Sequence, residues 1–113
     1  MDATELRGLV GCPVVDRNGK AAGILDVVFD DRVTGRAEWI GLRTGALRRQ
    51  RVLVPAAGTE HDALSLRVPW TRALVRSAPA YGDSDRRGRL GLGEYRPVIS
   101  DEKAREVSAY YCL

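Results

Sequence analysis

The feature that most restricts what this chain can fold into is a succession of short apolar runs, each closed by turn-forming residues, over residues 8–70. Leu9 to Asp16 is apolar and partly β-branched, and Asp16-Arg17-Asn18-Gly19 follows it. An Asn-Gly pair between apolar runs predicts a hairpin, because both residues tolerate the positive φ of a type I′ turn. In Ala21 to Asp31, alternation sets Leu25, Val27 and Phe29 on a core face and Ile24, Asp26, Val28 and Asp30 on the other. Asp31-Arg32-Val33-Thr34-Gly35 makes a second turn, with Asp30 and Asp31 expected to cap its backbone. Arg36 to Arg43 predicts a third strand, and Arg51 to Pro55 a fourth that its proline ends. Ala63 to Val68 alternates most cleanly, with Leu64, Leu66 and Val68 inward. The pattern predicts a mainly β fold, a small six-stranded antiparallel barrel that closes its own edges. Its expected core holds Leu25, Val27, Phe29, Leu53, Leu64, Leu66 and Val68.

After Val68 the character changes. Thr71 caps a short helix over Arg72 to Ser77, which Pro79 stops. Tyr81 to Gly93 is rich in glycine, serine and charge and reads as an irregular connector. Ser100 caps a last helix running to about Tyr110, with Asp101 and Glu102 at the positive end of its dipole. Ala104, Val107 and Tyr111 recur at helical spacing and form a stripe that docks on the barrel or on a partner. The expected organisation is a barrel domain over 8–80 and a connector with a helical tail over 81–113.

The chain has 113 residues, 44% of them hydrophobic and 29% charged, which suits one ordinary soluble domain. No apolar run approaches the ~20 residues of a membrane-spanning helix. Met1 to Arg7 lacks the apolar core of a signal peptide. No membrane insertion and a cytoplasmic location are therefore expected. Cys12 and Cys112 are too few for a disulfide scaffold and read as free thiols.

Few residues are arranged for chemistry. Asp26, Asp30, Asp31 and Glu38 form the one acidic grouping of interest, and turn capping explains its aspartates better than a metal site. His61 is the only histidine and sits in a polar loop without a matching catalytic partner. There is no Cys-x-x-Cys pair, no nucleophile elbow and no phosphate loop, since Gly88-Arg89-Leu90-Gly91-Leu92-Gly93 lacks the Lys-Ser/Thr ending. No catalytic residue, metal or cofactor is expected, and the chain is read as a non-enzyme.

Charge and aromatics suggest partners instead. The net charge is +3, and no acidic residue lies between Glu38 and Glu60, where Arg43, Arg48, Arg49 and Arg51 fall. With Trp39, these arginines are the candidate partner-binding residues. Tyr95, Val107, Tyr110 and Tyr111 are the candidates for self-association: a short tail helix needs a surface to dock on, and a homodimer supplies one. The competing arrangement folds the tail back on its own barrel. An RNA or ribosome contact through the Arg43–Arg51 loop is the alternative; no aromatic residue interleaves those arginines, as a single-strand binder would want.

The order of motifs resembles a known family. Leu9 to Asp30, with Gly11-Cys12-Pro13-Val14, Asp16-Arg17-Asn18-Gly19 and Gly23-Ile24-Leu25-Asp26, is similar to the opening of a PRC-barrel domain. Arg32 to Trp39, Val52-Leu53-Val54-Pro55, Val68-Pro69-Trp70-Thr71 and Ser77-Ala78-Pro79 resemble its later segments, and Tyr110-Tyr111-Cys112 an ending seen after some of these barrels. The family includes the cytoplasmic domain of the photosynthetic reaction-centre H subunit and the C-terminal half of a ribosome maturation factor. The resemblance implies a six-stranded barrel that acts through protein contacts. This chain shows neither the membrane helix of the first nor the N-terminal domain of the second, so neither specific role is expected to transfer.

Overall fold

A computed structural model describes residues 2–31, 33–45, 49–62, 64–87 and 97–113. Its elements in order are α1 (Ala3–Arg7), β1 (Pro13–Val15), β2 (Ala21–Asp30), β3 (Ala37–Thr44), β4 (Gln50–Pro55), β5 (Glu60–Asp62), β6 (Ser65–Arg67), α2 (Arg72–Arg76), α3 (Asp83–Arg87) and α4 (Asp101–Tyr110). The strands form one six-stranded sheet in the order β4-β3-β2-β1-β6-β5. The fold is mainly β, as the turn spacing predicts.

Two features of the expected barrel are corrected. The sheet is open, with no pairing between β4 and β5 among the described residues. It is also mixed, because β6 runs parallel to β1 with Val14 opposite Leu66. The edge of β4 is covered rather than closed: Leu53 donates its N–H to the Pro79 carbonyl at 2.9 Å, and Ala80 bridges to Val52. A covered edge resists aggregation as a closed one does, so the chain meets that requirement with the segment after α2.

The Asp16–Gly19 turn forms, but not as type I′. Only Gly19 takes a positive φ there, at 81°, and its N–H bonds the Asp16 carbonyl at 3.0 Å. That is the geometry of a three-residue loop with glycine in the left-handed position. The Asp16 side chain does the rest. Its Oδ1 accepts the N–H groups of Asn18 and Lys20, both at 2.8 Å, and its Oδ2 accepts that of Arg72 at 2.9 Å. One carboxylate thus ties the first hairpin to the start of α2. Burial alone would raise this carboxyl, but the donors from Lys20, Arg72 and Asn18 outweigh it and hold it below the ordinary carboxylate range.

The core runs through both faces of the long strands. Leu25, Val27, Phe29, Leu53, Leu66 and Val68 are buried as expected, and so are Val28, Trp39, Ile40, Leu42, Val52 and Val54. Leu64 is the exception: it is 87% exposed in the turn joining β5 to β6, where Asp62 pairs with Ser65. The alternation in the sequence begins one step before β6 does. Of the helices, α2 and α4 follow their predicted caps, with Thr71 accepting from Leu74 N–H at 3.3 Å and Ser100 from Lys103 N–H at 3.2 Å. Two short helices were not anticipated. α1 is capped by Asp2, and α3 lies in the segment read as connector.

The tail packs on its own sheet. Val107 is fully buried, Tyr111 donates its hydroxyl to the Leu53 carbonyl at 2.8 Å, and Tyr110 donates to the Leu74 carbonyl at 2.5 Å. Trp70 packs against Tyr111 with ring centroids 4.8 Å apart and the ring planes tilted by 54°. Burial pushes the Tyr111 hydroxyl up, with Tyr110 adding to it, so it stays a neutral donor. No helix among the described residues is long and apolar enough to cross a membrane.

Candidate functional site

Arg51 is the second residue of β4, and Arg49 lies just before the strand begins. Arg76 is the last residue of α2, where a cation favours the negative end of the helix dipole. These arginines line one cleft of about 440 Å³, together with Gln50, Ala80 and Tyr81. A second hollow of about 240 Å³, lined by Arg43 and Thr44, shares Arg76 with it. The basic surface therefore extends from β4 across the end of α2 towards β3.

Beside the cleft lies a part-buried polar cluster built by a bulge. In β2, Leu25 pairs with Leu42 and Val27 with Gly41, which leaves Asp26 as the extra residue. Bulges re-aim side chains, and this one presents Asp26 to cations. Its Oδ1 accepts from Arg43 Nε at 3.0 Å, and its Oδ2 accepts the Tyr81 hydroxyl at 2.6 Å. Arg86 Nε lies 3.2 Å from the same Oδ2. Burial first, and then the bond to Asp26, pushes the Tyr81 hydroxyl well up, so it donates throughout the physiological range.

Glycine at position 41 makes this arrangement possible. A Cβ there would come within 2.5 Å of the Tyr81 ring and 2.6 Å of Val27. Without it, the ring packs close against the strand, edge-on to Phe29 at 5.3 Å, and its hydroxyl reaches Asp26.

Arg51 carries the second link. Its Nη1 lies 2.5 Å from Asp83 Oδ1, and Arg86 Nη1 lies 3.8 Å from the same oxygen. The hydrogen bond to Asp83 raises the Arg51 guanidinium further above its already high range. Cations outnumber carboxylates among these side chains, and Arg49 is exposed at the rim. What such a site does chemically is hold an anion by planar, charge-assisted hydrogen bonds.

The structure redistributes the sequence candidates. Arg49 and Arg51 share the cleft, and Arg43 stands beside it on Asp26. Arg48 and Tyr95 lie outside the described residues. Trp39 is buried in the core at 4% exposure, so it offers no binding surface. Val107, Tyr110 and Tyr111 are spent on the chain's own sheet and α2, and the surplus surface that argued for pairing two copies through them is covered. Asp30 is buried and ion-paired with Arg7 from α1, and Asp31 caps, accepting from Val33 and Thr34 N–H at 2.8 Å each. Those two N–H donors hold Asp31 below the ordinary range. Glu38 is raised, first by burial and then by Asp31 and Asp101.

Sequence reasoning missed Arg76, Asp83 and Arg86, and gave Tyr81 no place beside the arginines. Arg76 had one signal, a basic residue closing a capped helix before Pro79. For Tyr81 the only hint was Gly41 inside a strand, where glycine marks a close approach. No family model matches this chain, and no curated protein matches it either.

Proposed function

We propose that this chain is a non-enzymatic interaction module, PRC-barrel-like in its motif order, that holds an acidic segment of a partner protein in the arginine cleft. The observation that carries the reading is convergence: Arg49 just before β4, Arg51 within it and Arg76 at the end of α2 reach one cleft from separate parts of the sequence. Guanidinium forks match carboxylates in geometry, and a group of them is costly to hold together unless an anion shares the site. A contact by strand addition is disfavoured on this side, because Pro79 and Ala80 already occupy the β4 edge. The aromatic ring at the cleft, Tyr81, is only 4% exposed and offers no face for a base to stack on. That favours an acidic peptide over the RNA or ribosome contact. Self-association through the tail forms no part of the proposal.

Fluorescence anisotropy with labelled hexaglutamate tests it. Saturable binding that weakens with added salt is expected, and Arg49→Gln and Arg76→Gln should each weaken it by about threefold or more. Unchanged binding by both variants would remove the cleft from the account. Tighter binding of an RNA oligonucleotide of equal charge would move it to the nucleic-acid reading.

A further inference from the structure

We infer that Asp83 is a built-in stand-in for the partner's carboxylate, occupying Arg51 and competing with the incoming ligand. The inference rests on the cleft reading above and adds its regulation. Arg51 is the arginine of the cleft whose guanidinium already holds a carboxylate, Asp83, at 2.5 Å. The two partners differ in exposure. The Arg51 side chain is 27% exposed and Asp83 66%, so the carboxylate, already largely in water and 3.8 Å from Arg86 Nη1, leaves Arg51 at little cost once a ligand takes its place.

The segment that carries Asp83 is held by other contacts. Asp85 Oδ2 accepts the Gly82 N–H at 2.8 Å and lies 3.5 Å from Lys103 Nζ, on α4. Lys103 also donates to the Ala80 carbonyl at 3.1 Å, and Arg86 sits against Asp26. Releasing Arg51 from Asp83 therefore leaves α3 anchored beside the cleft. A tethered carboxylate in that position is a competitor at high effective concentration that never diffuses away. The same chemistry names the ligand: an aspartate or glutamate side chain that reaches Arg51 while Arg49 and Arg76 take the neighbouring charge.

The experiment titrates the full chain with labelled hexaglutamate in four forms: unaltered, Asp83→Asn, Asp83→Ser and Arg76→Gln. Both Asp83 variants should bind about threefold to fivefold more tightly, the size of one exposed pair released, with the gap closing as salt is raised. Arg76→Gln should bind more weakly. Asp83 variants that bind no tighter than the unaltered chain, with Arg76→Gln still weakened, would overturn the competitor role while leaving the cleft in place. If Arg76→Gln also binds as the unaltered chain does, the cleft reading fails and takes this inference with it. The two Asp83 variants guard against a local packing defect, since both remove the charge with side chains of different shape.

Discussion

Two arginine–carboxylate pairs in this molecule look alike on paper and differ in consequence. Arg7 and Asp30 join α1 to the end of β2, and Arg51 and Asp83 join β4 to α3. In the first pair the carboxylate is sealed, with the Asp30 side chain 1% exposed and its backbone N–H bonded to the Pro97 carbonyl. In the second the carboxylate stands mostly in water. A sealed carboxylate depends on its cation, because losing the partner strands a charge away from solvent. A solvated one exchanges partners almost freely. The first pair is part of the fold, and the second is available to a ligand.

The largest expected effect breaks the first pair. Arg7→Gln should lower stability by about 1–3 kcal/mol, since a buried acceptor loses its charged donor. Adding Asp30→Asn in the same chain should recover part of that loss, because the stranded charge goes with it. Chemical denaturation reads both. A single variant as stable as the unaltered chain would place Asp30 with the exchangeable carboxylates.

Acid should act next on the carboxylates that cap turns. Asp16 and Asp31 titrate below their ordinary value in the folded chain, so each favours the fold above the unfolded pKa near 3.8. Their contribution is lost as pH falls from there through the lower folded values. Melting temperatures should therefore drop steeply below about pH 4, and Asp16→Asn should flatten that drop while lowering stability at neutral pH. Glu38 works in the opposite sense. Its raised pKa means ionisation costs stability, so Glu38→Gln should help slightly at neutral pH and not at all at pH 3. An Asp16→Asn curve parallel to that of the unaltered chain would assign the acid loss elsewhere.

The smallest effect belongs to the second pair. Asp83→Asn should change stability by less than about 0.5 kcal/mol. A loss near that of Arg7→Gln would show that Asp83 holds the fold together, and the contrast between the pairs would collapse.

How much of this was legible depended on whether neighbouring residues alone determined it. The turns at Asp16 and Asp31 and the caps at Thr71 and Ser100 are local, and their residues announce them. The inward face of β2 was legible in part. Val28 and Asp30 read as outward because alternation assumes one wet face, and this strand is covered on both. Bulges at Asp26 and Glu38 shift the register again, and no local signal marks them. At the site, Arg49 and Arg51 stand out as closely spaced charges, one in a polar loop and the other at the start of the fourth strand. Arg76 and Tyr81 reach the cleft only because α2 and the segment after it cross the β4 edge, a tertiary arrangement that no spacing encodes.

The contrast between the pairs is tested most directly by arginine side-chain NMR during a hexaglutamate titration. The Nε–H resonances of Arg49, Arg51 and Arg76 should move together and saturate, while that of Arg7 stays fixed. Movement of Arg7 alongside Arg51, or no movement of Arg51 at saturating peptide, would contradict the division between a structural and an exchangeable arginine.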